Sequence, residues 1–140
     1  MHKNFFHKVK IYYEDTDAGN IVYYANYLKF LERARTEALV TLGFSNKKIK
    51  DKFGALIIVK SCNIDYKKSA NLEDELSIRS FVKSITKTSF IMNQFISRGE
   101  DMLVEAKIHL VFVNNDGKPM RIPGTLFQDF KPYFCDSIKV

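Results

Sequence analysis

DTDAGNIVYYANYLKFLERARTEALVTLG, residues 15–43, joins a carboxylate-rich turn directly to an amphipathic helix, and no other stretch of the chain constrains its architecture as much. Asp15 and Asp17 lie one residue apart and are followed by Gly19 and Asn20, two residues that tolerate the positive φ of a tight turn. A strand ending in a turn is the expected local structure. From Tyr27 onward Leu28, Leu31, Ala34, Ala38, Leu39 and Leu42 recur at spacings of three and four, with Lys29, Glu32, Arg33, Thr36 and Glu37 between them. That period predicts a helix beginning between Tyr24 and Asn26, with Asn26 as its cap, and stopping at Gly43. The unpaired N–H groups of such a helix point back toward the aspartates. A helix N-terminus carries roughly half a positive charge. It can therefore hold a developing oxyanion while Asp17 acts on the same carbonyl. Spacing alone leaves a structural alternative, in which the aspartates cap the helix or answer its dipole. A metal site is not expected, because no further acidic cluster lies nearby in sequence to complete the DxD pair.

The 140 residues are enough for one domain with a hydrophobic core, read here as 1–140, and leave no room for a second. Apolar residues at 46%, charged residues at 27% and only three prolines exclude a disordered or low-complexity chain. The formal charge of +6 favours anionic partners in general, but the lysines and arginines are dispersed and single out no class of them. Cys62 and Cys135 form no CxxC or metal-ligand spacing, which points to a reducing compartment. Neither a signal-type apolar run nor a stretch long enough to span a membrane is present in the sequence, so a soluble, cytoplasmic protein is expected.

Around the opening stretch the chain reads mostly as strand. Val9, Ile11 and Tyr13 alternate with Lys8, Lys10 and Tyr12, giving a first strand that delivers the Asp15–Gly19 turn. SNKKIKDKFG reads as a polar connection, and ALIIVKSCNIDY (55–66) as a β-branched strand. ELSIRSFVKSI, TSFIMNQFIS and MLVEAKIHLVFV, joined by turns at Thr86-Lys87 and Arg98–Asp101, predict an antiparallel meander. In its last member Met102, Val104, Ala106, Ile108, Leu110 and Phe112 form the buried face, and His109 lies on the polar one. A short strand piece and a terminal helix beginning at Pro123 complete the order. One long helix and about five strands predict an α+β fold, a strongly curved antiparallel sheet wrapped around that helix.

The run YYEDTDAGNIVYYANYLKFLERARTE (12–37), with IDY (64–66), NLEDELSI (71–78) and GKPMRIP (117–123), resembles the hot-dog-fold acyl-CoA thioesterases. Within them it is most similar to the Tol-Pal-associated, YbgC-like branch of the 4-hydroxybenzoyl-CoA thioesterase family. The resemblance covers nearly the whole chain. It implies a helix held inside a curled sheet, and homodimers or homotetramers with sites across the subunit interface. Asp17 matches the family's catalytic carboxylate, acting as nucleophile or general base. Tyr24 matches the helix-start position whose backbone N–H polarises the thioester carbonyl. Tyr13 matches a tyrosine four residues before the carboxylate that is associated with activity, and Asp15 is assigned to shaping the turn. Where the branch usually has histidine this chain has Tyr24, and where it usually has Pro-Ala this chain has Ser69-Ala70.

The implied reaction is hydrolysis of an acyl-CoA thioester without metal or organic cofactor, CoA being part of the substrate. Ile21 and Val22 are the expected lining of the acyl slot, with ordinary core packing as the alternative for both. A dehydratase of the same fold usually displays a histidine with an acidic partner, and no histidine lies in the motif block. A non-catalytic scaffold binding acyl thioesters or acyl carrier protein in envelope lipid metabolism is the remaining alternative, which an intact Asp17 disfavours. Nucleic acid is not an expected partner, since no stacking-aromatic motif or basic recognition helix is present.

Overall fold

The structure is a computed structural model that describes residues 2–135. The one-domain reading of 1–140 extends to residue 1 and to 136–140, which lie outside the described residues. Along the chain come β1 (Phe5–Lys10), α1 (Asn26–Thr41), α2 (Asn46–Phe53), β2 (Leu56–Tyr66), β3 (Glu75–Ile85), β4 (Ser89–Arg98), β5 (Asp101–Val113) and α3 (Gly124–Phe130). The five strands form one antiparallel sheet in the order β1-β3-β4-β5-β2, curled around α1 as expected.

Register explains why one face of this sheet is apolar. Ile78, Ile96 and Val104 form one cross-strand row, and Val82, Met92 and Ile108 another. All six are buried and cluster with Tyr27, Phe30, Leu31, Ala34 and Ala38 of α1. Side chains alternate between faces along a strand, so these rows form a continuous floor on which the helical stripe rests. The alternation expected in β5 holds from Val104 to Phe112. It breaks at Leu103, which is fully buried because the register with β4 shifts between Ile96 and Ser97 and leaves Leu103 without a partner there. The carbonyl of Leu103 instead accepts from the N–H groups of Lys67 and Lys68, at 2.8 and 3.2 Å. A bulge of this kind re-aims one residue without disturbing the rest of the ladder.

The middle row of the floor is polar. Ser80, Gln94 and Ala106 lie side by side, and Gln94 is fully buried under the helix. Its Nε2 donates to the Leu31 carbonyl and the Ser80 hydroxyl, both at 3.1 Å, and its Oε1 accepts from Arg35 Nη1 at 2.9 Å. Every polar atom of the buried amide therefore has a partner, as a low-dielectric interior requires. Desolvation lowers the Arg35 pKa from its ordinary value, an effect partly offset by Glu32.

Four expectations are corrected. SNKKIKDKFG is not a bare connection but contains α2, whose Ser45 hydroxyl accepts from the Lys48 N–H and whose C-terminus closes on Gly54 in the left-handed region. Only Ile49 of this helix is buried, so it carries too narrow an apolar stripe to announce itself by period. β1 begins at Phe5 and ends at Lys10, and Tyr13 lies in a 3₁₀ turn, because Ile11 leaves the β3 ladder to exchange bonds with the 73–74 turn. No strand forms at 120–122: Met120 and Ile122 bond individually to Phe112 and Lys87. Pro123 sits at the cap of α3 rather than in its first turn.

Candidate active site

The chain between β1 and α1 is folded by its own polar side chains. Asp15 Oδ2 accepts the Tyr12 N–H at 2.9 Å, and the Asp15 carbonyl takes both the Tyr23 N–H and Asn26 Nδ2. Asp15 thus shapes the turn and ties its two ends together. Asn26 is the first helical residue rather than the cap; Ala25 holds the cap position, and no side chain caps the helix. Asp17 heads a tight hairpin in which its N–H donates to Ile21, its carbonyl accepts from Asn20, and its Oδ1 accepts the Gly19 N–H at 2.9 Å. Of the two residues expected to supply positive φ only Asn20 does so, at 62°. Asn has a low cost in that region because its short amide interacts with its own backbone.

A second loop clamps this hairpin. Val22 donates to the Ala70 carbonyl, Leu72 donates to Asn20, and Ile21 bridges to Asn71. The Ala70 N–H donates in turn to the Tyr27 hydroxyl at 2.9 Å, in a buried bond that joins the loop to α1. Burial raises the pKa of that phenol, so the bond is held by a neutral hydroxyl. Asp74 Oδ2 fixes the far end by accepting from Asn71 and from Arg98 Nη1, at 2.8 and 2.7 Å. Tyr27→Phe leaves the Ala70 N–H buried without an acceptor and lowers unfolding free energy in urea by about 1–3 kcal/mol. No measurable loss would mean that water reaches the loop.

At the helix start the first backbone donors are already used. Asn26, Tyr27 and Leu28 donate to Tyr23, Tyr24 and Ala25, a 3₁₀-like beginning to the helix. The N–H groups of Tyr24 and Ala25 donate to no acceptor among the described residues. Tyr24 lines a cleft of about 330 Å³ together with Asp17, Ile21, Val22, Tyr27 and Tyr66, with Lys67 and Lys68 also on its wall. The Tyr66 ring lies 6.1 Å from that of Tyr24 and 5.7 Å from that of Tyr27. Asp17 is exposed in the isolated chain and has no ion-pair partner among the described residues.

Of the residues singled out in the sequence, the structure brings Asp17, Tyr24, Ile21 and Val22 to one cleft. Val22 also belongs to the core cluster, so it serves both readings entertained for it. Tyr13 does not line the cleft and is 77% exposed. Tyr27, Tyr66 and the 69–74 loop were not assigned a site role from sequence. Tyr27 had a readable signal in its position one helical turn after Tyr24, whereas Tyr66 reaches the site only through tertiary packing. Among the described residues no group of three or more His, Cys, Asp or Glu side chains is placed to hold a metal ion.

Residues 12–131 match the model of the thioesterase-like superfamily. The chain belongs to the thioesterase-like superfamily. Within it, this thioesterase-like chain is 38% identical over 116 residues to an acyl-CoA thioesterase YbgC from Haemophilus influenzae, covering 82% of this chain and 85% of the relative. It is also 38% identical over 125 residues to an acyl-CoA thioester hydrolase YbgC from Escherichia coli, covering 88% and 92%. Among solved structures, a probable thioesterase from Bartonella henselae superimposes with a TM-score of 0.83 at 32% identity, over 86% of this chain and 100% of that one. The curled sheet and enclosed helix of this superfamily member are thus the hot-dog fold.

Proposed function

We propose that the protein is an acyl-CoA thioester hydrolase that works without metal or organic cofactor. The observation that carries this reading is the meeting, in one cleft of a thioesterase-like chain, of the exposed Asp17 carboxylate with Tyr24, whose N–H, like that of the adjoining Ala25, has no acceptor among the described residues. In the proposed reaction the thioester carbonyl oxygen lies against those N–H groups, which stabilise the negative charge that develops when the carbonyl carbon is attacked. Asp17 Oδ2 faces the carbon or a water beside it. As general base it takes a proton from water while the hydroxide oxygen bonds to carbon. As nucleophile it forms an anhydride that water then opens. In either case the C–S bond breaks with its electron pair on sulfur. A thiol with an ordinary pKa of about 8.5 departs with little need of a proton donor, so a histidine at position 24 is dispensable.

The charge of the chain fits this substrate. Lys67 and Lys68 stand at the rim of the cleft in ion pairs with Glu105 and Asp101 at 3.5 and 3.2 Å, all about half exposed. Surface pairs of this kind are weak, so both ammonium groups can exchange their carboxylates for CoA phosphates.

A homodimer belongs to the same reading. β2 is an eleven-residue edge strand with one side unpaired, and Leu56, Ile58, Val59 and Tyr66 on it are 40–49% exposed. Long apolar edges of this kind are covered in stable proteins, and a second copy pairing β2 with β2 covers this one. Tyr13, which does not line the cleft of its own chain, takes part in this reading through that assembly. Ile58→Lys places a charge on the edge and is expected to convert the dimer to a 16.3 kDa monomer in sedimentation experiments, with activity falling at least tenfold. A wild-type protein that sediments as a monomer and is fully active would end the dimer proposal. No helix among the described residues is long and apolar enough to cross a membrane; the cytoplasm is the proposed location.

The decisive experiment is a free-thiol release assay on acyl-CoAs from acetyl to stearoyl and one aromatic acyl-CoA. Release of thiol by the folded protein supports the reading. Its absence on every substrate removes the acyl-CoA hydrolase and leaves acyl carrier protein as the partner to test. Solvent-oxygen labelling in a single turnover separates the two roles of Asp17, since label on the enzyme carboxylate marks the anhydride route.

A further inference from the structure

The ion pair of Lys68 on the cleft wall continues into the loop that clamps the Asp17 hairpin. Lys68 Nζ contacts Asp101 Oδ1 at 3.2 Å, whereas Asp101 Oδ2 lies 3.7 Å from Arg98 Nη2, beyond hydrogen-bond distance. Arg98 Nη1 in turn donates to Asp74 Oδ2 at 2.7 Å and to the Ser69 carbonyl at 3.4 Å. The same Asp74 oxygen accepts the Asn71 N–H, and Asn71 bridges to Ile21 within the hairpin. Arg98 and Asp101 face each other in the register of the β4–β5 turn, so a change of partner between them needs only side-chain rotation. In this chain of charges the tight links are the outer two. The Lys68 ammonium, ahead of Arg98, holds the Asp101 carboxyl below its ordinary pKa, and Asp74, ahead of Asp101, raises that of Arg98. Asp101 thus belongs mainly to Lys68 in the free protein. Arg98 is braced by one carboxylate where its planar fork has room for two.

We infer that Asp101 and Arg98 are positioning residues, which couple occupancy of the cleft wall at Lys68 by a phosphate group to the setting of the Asp17 hairpin. With acyl-CoA as substrate, the reading on which this rests, Lys68 exchanges Asp101 for a phosphate of CoA. Released from Lys68, the Asp101 carboxylate turns to Arg98 Nη2 and closes the 3.7 Å gap. Arg98 is then held at both terminal nitrogens, by Asp74 and by Asp101, in charge-assisted bonds, which are the strong ones. The 69–74 loop gains a firm brace. Through the bonds of Val22 to Ala70 and of Leu72 to Asn20, so does the hairpin that presents Asp17. A misplacement of about 1 Å near a reacting group costs about 100-fold in rate, so a brace of this kind acts on turnover. Binding energy from a part of the substrate remote from the thioester is thereby expressed in kcat.

Hydrolysis of an acyl-CoA is compared with that of the same acyl group on pantetheine, which carries the thiol but no phosphate. For wild type, kcat is expected to be higher on the CoA thioester by about tenfold or more. Asp101→Asn leaves Arg98 without its second carboxylate and is expected to lower kcat on acyl-CoA to within about threefold of that on acyl-pantetheine. Lys68→Ala acts from the other direction, because it frees Asp101 permanently. In that variant kcat on acyl-pantetheine is expected to rise toward the acyl-CoA value while KM for acyl-CoA increases about threefold or more. The double variant is expected to behave as Asp101→Asn, an order that a merely structural role does not produce. Three results would each overturn the inference and leave the hydrolase in place: a wild-type ratio near one, an acyl-CoA kcat that Asp101→Asn does not lower, or an acyl-pantetheine kcat that Lys68→Ala does not raise. Hydrogen exchange reads the same coupling without turnover. CoA, but not pantetheine, is expected to slow exchange of the Asn71 and Val22 amides by about threefold or more in wild type, and not in Asp101→Asn. That result in a protein that cleaves neither thioester would retain the coupling and remove the hydrolase. Exchange that CoA leaves unmoved in wild type would overturn the coupling.

Discussion

Asp17→Asn is expected to lower kcat for acyl-CoA hydrolysis by about 100- to 10,000-fold, the range that follows removal of a positioned base or nucleophile. The substitution is close to a pure test of chemistry. Asparagine keeps an oxygen to accept the Gly19 N–H, and the two backbone bonds that fold the hairpin, from Asp17 to Ile21 and from Asn20 to Asp17, do not involve the side chain. The amide nitrogen that replaces Oδ2 neither accepts a proton from water nor attacks carbon. Tyr24→Phe, in contrast, is expected to change kcat less than about threefold, because the proposed contribution of this residue is its backbone N–H, which every residue but proline retains. The two variants assayed side by side on the best acyl-CoA check the division of roles. Equal losses would place the tyrosine hydroxyl in the chemistry and refute it.

Phe30→Ala is the substitution with the largest expected effect on the fold. The ring is 1% exposed, lies edge-on to Tyr27 at 6.1 Å between centroids, and faces the sheet floor from the middle of the first two turns of α1. Removing a buried Phe ring costs about 3–5 kcal/mol, in lost transfer energy and in the cavity that the curled sheet cannot close. Against a total stability of about 5–15 kcal/mol, that is about a fifth or more of the whole. A fall in Tm of about 10–20 °C is expected for a chain of this size, seen by calorimetry or circular dichroism. Leu28→Ala, two residues away on the exposed side, serves as the internal control with a loss below about 1 kcal/mol in the monomer. A comparable loss from both would mean that the helix is rotated from the placement described.

How much of this was readable in advance follows from the range of the interactions involved. α1 and the β3–β5 meander carry patterns ten or more residues long, so period alone located them and predicted their packing. α2 lacked such a pattern, although Ser45 and Gly54, its two boundary residues, were both visible in the sequence. The conformation of the site hairpin was half legible: the turn was expected at Asp15–Gly19, with Gly19 and Asn20 both able to take positive φ, but Asn20 alone takes the left-handed position, where its carbonyl also accepts from Leu72, 52 residues further on. The same limit hid the support of the site. Ala70, Asp74 and Arg98 act on the hairpin through contacts that no local spacing encodes. The motif NLEDELSI marked the right segment without revealing that its task is to clamp the residues before α1.

The buried Arg35–Gln94–Ser80 chain has a consequence for aiming as well as for packing. A helix lying on purely apolar rows can roll or slide by a fraction of a turn at little cost, since one methyl contact replaces another. A buried amide whose partners must all be met at hydrogen-bond distance admits no such drift. It works as an indexing pin, engaging α1 at the Leu31 carbonyl and at Arg35, and fixing both its azimuth and its axial offset against the sheet. The two donors at the start of that helix inherit this alignment. The direction in which Tyr24 and Ala25 present their N–H groups is thus set in part by an amide on a different element, two helical turns down the axis and outside the cleft.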